Sequence, residues 1–326
     1  MPIPGGSADI TRILVATDGR PANLTQALGL AEAIAVYLPA AITQAEIALR
    51  PGFAGWPNRL LLPFGGRALH GLPHSPYELV IGAGRRGNLA AALLGRRGCK
   101  TVAILKPHLP TDAFSALVIP AHDRLHDARV LTTLGALNRL TAAALDRAAR
   151  PFPSRPAPRL AVLIGGPSRS ARFDADALLR DLGRFASWSI LATASRRTPK
   201  RLIAQLRATQ DALWLWDGTG VNPYPGLLAA ADAILVTSDS VNMACEAAST
   251  GKPVFVSGLP SPGKNARFHA ALAAHGASRP AAEVPVWSDA PMRFSYPPLH
   301  EAARIAPLLL NRLGFAQSPG AAYRDG

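Results

Sequence analysis

The 326-residue sequence predicts an α/β protein built as two parallel, doubly wound halves. Three observations point there. Apolar, strand-like runs alternate with helical stretches along the chain. A stretch with four prolines in nine residues, "RPFPSRPAP" at 150–158, interrupts the alternation near the middle. The strand-like runs also end repeatedly in small and polar residues, at the edge where open parallel sheets bind ligands. The length exceeds one typical core and suits two of about 150 residues each.

The first strand runs from Arg12 to Thr17, and Asp18-Gly19 turns the chain into a helix opened by Pro21 or Asn23. Further strands are expected at "AEIAL", "ELVIGAG", "TVAILK" and "SALVIPA", with "GNLAAALLGRRGC" a helix ending near Gly98. Proline fixes φ and removes an amide donor, so 150–158 reads as a linker. After it come strand "RLAVLIGG", helix "DADALLRDLGRFA", strand "SILATAS", helix "PKRLIAQLRAT" and strand "ALWLWDG". Then "ILVTSDSVNMACEAASTGKPVFV", 234–256, reads as strand, polar turn, helix, Gly-Lys-Pro and strand. The final "HEAARIAPLLLNRLGF" is an amphipathic helix. The expected domains are 1–150, 151–297, and a helical tail, 298–326, returning to the first.

The net charge of +14 comes from 30 Arg and 5 Lys against 21 acidic residues. It points to an anionic partner, either a nucleotide-sugar or an anionic membrane met peripherally and electrostatically; a compositional bias toward Ala, Arg, Gly and Pro accounts for part of it. The arginines read as scattered, which argues against nucleic acid. Cys99 and Cys245 form no CxxC pair, which argues against a zinc site or a disulfide scaffold and for a reduced interior. The opening residues lack a basic-then-apolar leader pattern, and no run nears the ~20 apolar residues of a membrane span. The expectation is a cytoplasmic chain that can touch the inner face of the membrane.

Five strand ends carry the candidate chemistry: "TDGRPAN", "VIGAGRRGN", "IGGPSR", "TASRRTP" and "TSDSVNMACEA". Small residues admit backbone amides to an anion, arginine neutralises it, and a helix N-terminus adds its dipole. The G-x-G-x-x-G in "IGAGRRGN" lacks the acidic residue of a dinucleotide site and reads equally as a turn into a helix at 88–95. Gly165 and Gly166 follow a buried strand directly. In "SRR", Ser195 and Arg196 are assigned to phosphate, and the second arginine to the surface. Either Ser240 or Asp239 can cap the next helix. Glu246 is not explained by capping; with Asn242 four residues before it, it shares one helix face. A carboxylate there can accept both hydroxyls of a ribose while Ser238 and Ser240 meet phosphates; the plain alternative is a solvated surface glutamate.

"DGRPANLTQALGLAEA", "GAGRR", "IPAHD", "IGGPSR", "SRRTP", "NPYPGLLAAADAILVTSDSVNMACEAASTGKPV" and "GKNARFH" occur in the order seen in the mitochondrial fission protein family, named for a plant elongated-mitochondria protein. The chain resembles that family over most of its length, most specifically from Asn222 to Val254. Its bacterial members are classed as candidate glycosyltransferases, so the resemblance implies a GT-B-like fold, two Rossmann-like domains facing across a cleft. Relatives such as the lipid-linked N-acetylglucosaminyl transferase of peptidoglycan synthesis carry a similar strand–Ser–helix–Glu–Gly-Lys-Pro unit. The resemblance places the donor ribose on Glu246 and the pyrophosphate near Ser238 and Ser240. The first loop departs from the glycine-rich type of those enzymes, which leaves acceptor and base open.

The resulting expectation is a glycosyltransferase using a nucleoside diphosphate sugar, bound through Gly165, Gly166, Ser195, Arg196, Ser238, Ser240 and Glu246. The sequence is read as lacking an Asp-x-Asp motif, so no metal or other cofactor is expected, with arginines and helix dipoles meeting the diphosphate. Asp18 is the candidate general base for an acceptor hydroxyl, alongside a plain turn role. The alternatives are a nucleotide-sugar epimerase using His122 and Asp123 as acid and base, and a non-enzymatic adaptor on an anionic membrane.

Overall fold

The computed structural model describes residues 10–74, 76–148, 155–168, 171–209, 213–216, 222–285 and 293–317. The alternation folds as two units, Met1–Arg139 with Glu301–Gly326, and Leu140–His300.

In the first unit β1 (Thr11–Thr17) leads to α1 (Pro21–Ile34), β2 (Ala40–Glu46) and β3 (Ala48–Leu49). α2 (Asn58–Leu61) and a 3-10 stretch (Leu62–Ala68) precede β4 (Leu69–His70), β5 (Leu79–Ala83), α3 (Gly84–Gly95), β6 (Lys100–Ile104), β7 (Ala116–Pro120) and β8 (Val130–Thr133). The sheet order is β2-β1-β5-β6-β7-β8, parallel throughout, while β3 and β4 form a small antiparallel ribbon. Pro21 occupies the first turn of α1, where its missing amide costs nothing.

The second unit begins with α4 (Ala142–Ala148), β9 (Arg159–Ile164), α5 (Ala175–Leu182), β10 (Ser189–Ala194), α6 (Lys200–Thr209) and β11 (Leu213–Trp216). It continues with α7 (Tyr224–Ala230), β12 (Ala233–Thr237), α8 (Val241–Ala248), β13 (Val254–Ser257), α9 (Lys264–Ala274) and β14 (Ser278–Pro280). The parallel order is β11-β10-β9-β12-β13-β14. Strand order reverses between β9 and β12, so the ends at Ile164 and Thr237 lie side by side. That switch point is where a doubly wound sheet opens a crevice for ligands.

Central strands such as β5, β7 and β12 are buried at every position. Strands covered on both faces read as continuous apolar runs, which is why these were legible. Edge strand β11 was legible within "ALWLWDG", but β2, β8 and β14 were not read correctly. β2 begins at Ala40 rather than within "AEIAL" and carries exposed Thr43 and Gln44; β8 and β14 are short and partly polar. Helices α7 and α9 also go beyond the sequence expectation.

The chain divides at Arg139, ahead of the proline-rich stretch, because α4 packs on α7. Residues 150–154 of that stretch lie outside the described residues. Helix α10 (Glu301–Leu313) belongs to the first unit, where Ile305, Ala306, Leu309 and Leu310 join Ile13, Leu30 and Ile34 in one core. Buried Glu301 accepts the Leu134 amide at 2.7 Å and pairs with Arg304, so the helix start is fixed as well as its apolar face.

α3 starts at Gly84, not near residue 88, because glycines let it lie on β1. A Cβ on Gly87 would sit 2.1 Å from the Ala16 carbonyl oxygen, so the G-x-G-x-x-G spacing serves helix–strand packing. Gly87→Ala is therefore expected to cost about 1–3 kcal/mol through overpacking, read from urea midpoints. Gly183→Ala, whose Cβ would meet nothing within 4 Å, should change the midpoint little.

Candidate functional site

Three loops meet at the β9/β12 switch point: Gly165-Gly166-Pro167 after β9, Ser195–Thr198 after β10, and Ser238–Ser240 after β12. Their common partner is Asp239, whose side chain has 0% exposure. Its Oδ1 accepts from the Thr237 hydroxyl at 2.7 Å, and its Oδ2 accepts from the Gly166 amide at 2.9 Å. Arg197 completes the set, with Nη2 3.3 Å from Oδ2 and further donation to the Gly166 and Pro167 carbonyls. Thr237 Oγ1 in turn accepts the Gly165 amide at 2.8 Å. A buried carboxylate is tolerable only when its lone pairs are filled in this way.

The two glycines follow from that carboxylate. A Cβ on Gly165 would lie 2.3 Å from both Asp239 oxygens, and one on Gly166 2.3 Å from the Arg197 carbonyl oxygen. Their amides, expected at a phosphate, donate inward to Thr237 and Asp239 instead. Both arginines of the pair are exposed, but it is Arg197 that reaches Asp239. Ser195 Oγ lies 3.1 Å from Thr198 Oγ1 and accepts the Arg197 amide at 3.2 Å.

Ser238 is also committed to the framework. Its hydroxyl donates to the Leu259 carbonyl at 3.2 Å, and its own carbonyl accepts from Asn265 Nδ2 and His269 Nε2, each at 2.8 Å. Asn265 and His269 lie four apart on one face of α9, which gives "GKNARFH" its role. Ser240 caps α8, accepting the Met243 amide at 3.4 Å. Contrary to the expectation of no Asp-x-Asp, Asp174-Ala175-Asp176 has that pattern; it opens α5, where Asp174 accepts the Ala177 amide at 2.8 Å as N-cap.

Glu246 stands on the second turn of α8, half-buried, and its Oε2 accepts from the Tyr224 hydroxyl at 2.7 Å. Burial raises its carboxyl to about 7, with the Tyr224 bond pulling the other way. The same burial, then the Glu246 charge, pushes the Tyr224 phenol well above its ordinary range. Glu246 is thus no plain solvated glutamate. Tyr224 sits at the start of α7, and the other end of that helix is held by Lys252, whose Nζ donates to the Leu228 and Ala229 carbonyls at 2.8 and 2.6 Å. Desolvation lowers the Lys252 ammonium to about 8. Gly-Lys-Pro therefore fixes α7, and α7 presents Tyr224 to Glu246.

In the first unit Asp18 fills a turn. Its Oδ1 accepts from Asn23 Nδ2 at 2.7 Å and from the Arg20 amide at 3.4 Å. His122 and Asp123 lie on a 3-10 turn after β7. The second-unit loop candidates come together at one sheet edge, with Glu246 further along α8; Asp18, His122 and Asp123 belong to the other unit. Asp239, read as a possible cap, and Arg197, read as a surface residue, form the hub instead; Tyr224, Asn265 and His269 were not singled out. The signals available for them were the i, i+4 pair on α9 and the long quoted block that contains Tyr224.

The sequence model of the family described as Mitochondrial fission ELM1 matches residues 21–313. The Mitochondrial fission protein ELM1 of Arabidopsis thaliana is 36% identical over 192 residues, 54% of this chain and 44% of that protein, so the chain spans less than half of the plant relative. An uncharacterized Rickettsia prowazekii protein, RP120, is 27% identical over 72% of this chain and 79% of its own length. Among solved structures, a UDP-GlcNAc 2-epimerase from Methanocaldococcus jannaschii aligns with a TM-score of 0.56 at 13% identity over 92% of this chain and 100% of its own. The Neisseria meningitidis UDP-GlcNAc 2-epimerase bound to UDP-GlcNAc gives 0.54 at 14%, over 93% of this chain and 100% of its own. The kitacinnamycin glycotransferase gives 0.53 at 12%, over 94% of each. At such identities the likeness establishes the fold, the GT-B-like pair of Rossmann-like units.

Two outcomes follow for stability. Asp239→Ala strands the Gly166 amide, the Thr237 hydroxyl and Arg197 together, and is expected to cost at least about 3 kcal/mol in urea unfolding. For Glu246 the folded carboxyl titrates near 7 against an ordinary 4.5, so the native state holds the extra proton between those values. Wild type should lose stability relative to Glu246→Gln as pH rises through that window, by on the order of 1–3 kcal/mol. Paired urea titrations from pH 4.5 to 8 check it; parallel curves refute it.

Proposed function

The chain belongs to the mitochondrial fission ELM1 family, and from that premise we propose that it is a glycosyltransferase taking a nucleoside diphosphate sugar as donor, without a metal. The observation that carries this reading is Glu246, a half-buried carboxylate held by Tyr224 on the helix that leaves the switch-point strand. A ribose offers two adjacent hydroxyl donors, and an ionised carboxylate is the side chain that accepts both. The capped start of α8 lies one to two turns away along the same helix, suited to diphosphate oxygens through its dipole. Exposed Arg196 supplies mobile positive charge. Gly165, Gly166, Ser195 and Ser238 serve the donor indirectly, by holding these loops.

The acceptor hydroxyl needs a base, and Asp18 is the first-unit carboxylate proposed for it. Asp18→Asn should then abolish transfer while donor affinity stays within about twofold of wild type.

The epimerase alternative draws on the same fold, as two of the structural relatives are UDP-GlcNAc 2-epimerases by name. The two readings part when UDP-GlcNAc is incubated alone: an epimerase interconverts it, a transferase needs an acceptor. The adaptor alternative draws on the fission name of the family and requires no donor binding at all.

Calorimetric titration of a nucleoside diphosphate tests the reading directly. Glu246→Gln should weaken binding by about 1–3 kcal/mol, ten- to a hundredfold. Because only the ionised carboxylate accepts both hydroxyls, wild-type affinity should fall as pH drops through about 7, and the variant should show no such step. Equal, pH-independent affinities would remove Glu246 from the site.

A further inference from the structure

Between β3 and β4 the chain makes an excursion for which the donor chemistry has no use. Phe53, Trp56 and Phe64 meet there edge to face, with ring centroids 5.2, 5.8 and 6.0 Å apart. Phe53 is half-buried, but Trp56, Leu60 and Phe64 keep 41%, 49% and 42% of their surface exposed. Three of the seven large apolar side chains exposed among the described residues thus fall between positions 56 and 64. Scattered apolar exposure needs no explanation; this concentration does.

The excursion is held in place. Arg85 donates to Asn58 Oδ1 at 3.1 Å and to the Trp56 carbonyl, Asn58 Nδ2 donates back to the Arg85 carbonyl at 2.7 Å, and Leu61 is fully buried. The excursion itself carries one sign of charge. No Asp or Glu occurs from Ile47 to Tyr77, and Arg59 and Arg67 are exposed within it. Arg96 and Arg97 join from the end of α3: Arg96 Nη1 donates to the Leu62 carbonyl at 3.1 Å, and Arg97 Nη2 lies 3.7 Å from where a Cβ on Gly66 would stand. Arginines that read as scattered along the sequence are gathered here around an aromatic cluster.

We propose that this patch docks the protein onto an anionic lipid bilayer, with Trp56, Leu60 and Phe64 entering the headgroup–acyl boundary and Arg59, Arg96 and Arg97 meeting lipid phosphates. Aromatic rings favour that boundary, and each basic residue near an anionic leaflet strengthens binding about fivefold. A second copy docking by the same face would set arginine against arginine, which disfavours it. No helix among the described residues is long and apolar enough to cross a membrane; the contact proposed is at the surface. It differs from a purely electrostatic one, because the apolar part is not screened by salt.

Flotation of the full chain with vesicles of phosphatidylcholine, with and without phosphatidylglycerol, at low and high salt, tests this independently of donor binding. Wild type should float with the anionic vesicles and keep part of its binding in high salt. Trp56→Ala with Phe64→Ala should lower partitioning about tenfold or more at both salts. Arg96→Gln with Arg97→Gln should lower it on anionic vesicles at low salt, and Arg201→Gln, an exposed arginine of the second unit, should leave it unchanged. Leu60→Ser replaces the aromatic pair if circular dichroism shows that pair unfolded. The proposal is overturned if wild type does not float, or if the apolar variants float like wild type. It is equally overturned if those variants instead abolish self-association in sedimentation velocity, which would make the patch a contact between copies.

Discussion

A desolvated carboxylate with all its partners supplied by neighbouring loops organises the second unit. Removing the charge of Asp239 from water costs several kcal/mol unless donors replace the solvent, and here Thr237, the Gly166 amide and Arg197 do so. Each donor comes from a different strand end, so satisfying one side chain fixes three loops relative to one another. The close approach excludes any Cβ at Gly165 or Gly166. It also decides which of two adjacent arginines reaches the carboxylate. The position of Ser238, and with it the reach of Asn265 and His269 to its carbonyl, follows from the same loop geometry.

That framework separates residues that build the crevice from residues available to a ligand. Gly165, Gly166, Ser195 and Ser238 spend their hydrogen-bonding capacity inside the protein, while Arg196 is exposed and Glu246 is half-buried and held by Tyr224 through Oε2. Helix α7 is the device that tunes Glu246. Lys252 holds its carbonyl end and Tyr224 donates from its amino end, so a carboxylate twenty-two positions away in sequence is oriented, while burial raises it to about 7 against the pull of that bond. A group poised that way responds to a ligand that prefers its charged form.

The first unit applies the same economy of strand ends to different purposes. Asp18 and Asn23 close the turn after β1, with Gly84 fitted against them, and Gly87 lets α3 lie on β1. Helix α10 supplies apolar surface that the first 139 residues lack, and Glu301 ties its start to the Leu134 amide. The excursion between β3 and β4 gives Leu61 and Ala68 to the core but leaves Trp56, Leu60 and Phe64 exposed, and it is there that rings and arginines accumulate.

The sequence by itself determined the α/β class, the two parallel sheets and the central strands, because burial on both faces leaves short continuous apolar runs bounded by turn residues and helical stretches. It determined that strand ends carry polar chemistry and that Ser240 or Asp239 caps a helix, since those signals are local; the structure chose Ser240. It misplaced β2 and left β8 and β14 unseen, because these edge strands are short or carry polar and exposed residues. Only the tertiary structure decided that the glycine amides serve Asp239, that Arg197 rather than Arg196 reaches it, that Glu246 is held by Tyr224, and that Arg96 and Arg97 stand beside Leu62 and Gly66. Each of those outcomes is a choice of hydrogen-bond partner or neighbour across twenty or more residues, set by which surfaces the sheets bring within three or four ångströms, and spacing along a chain carries no record of that distance.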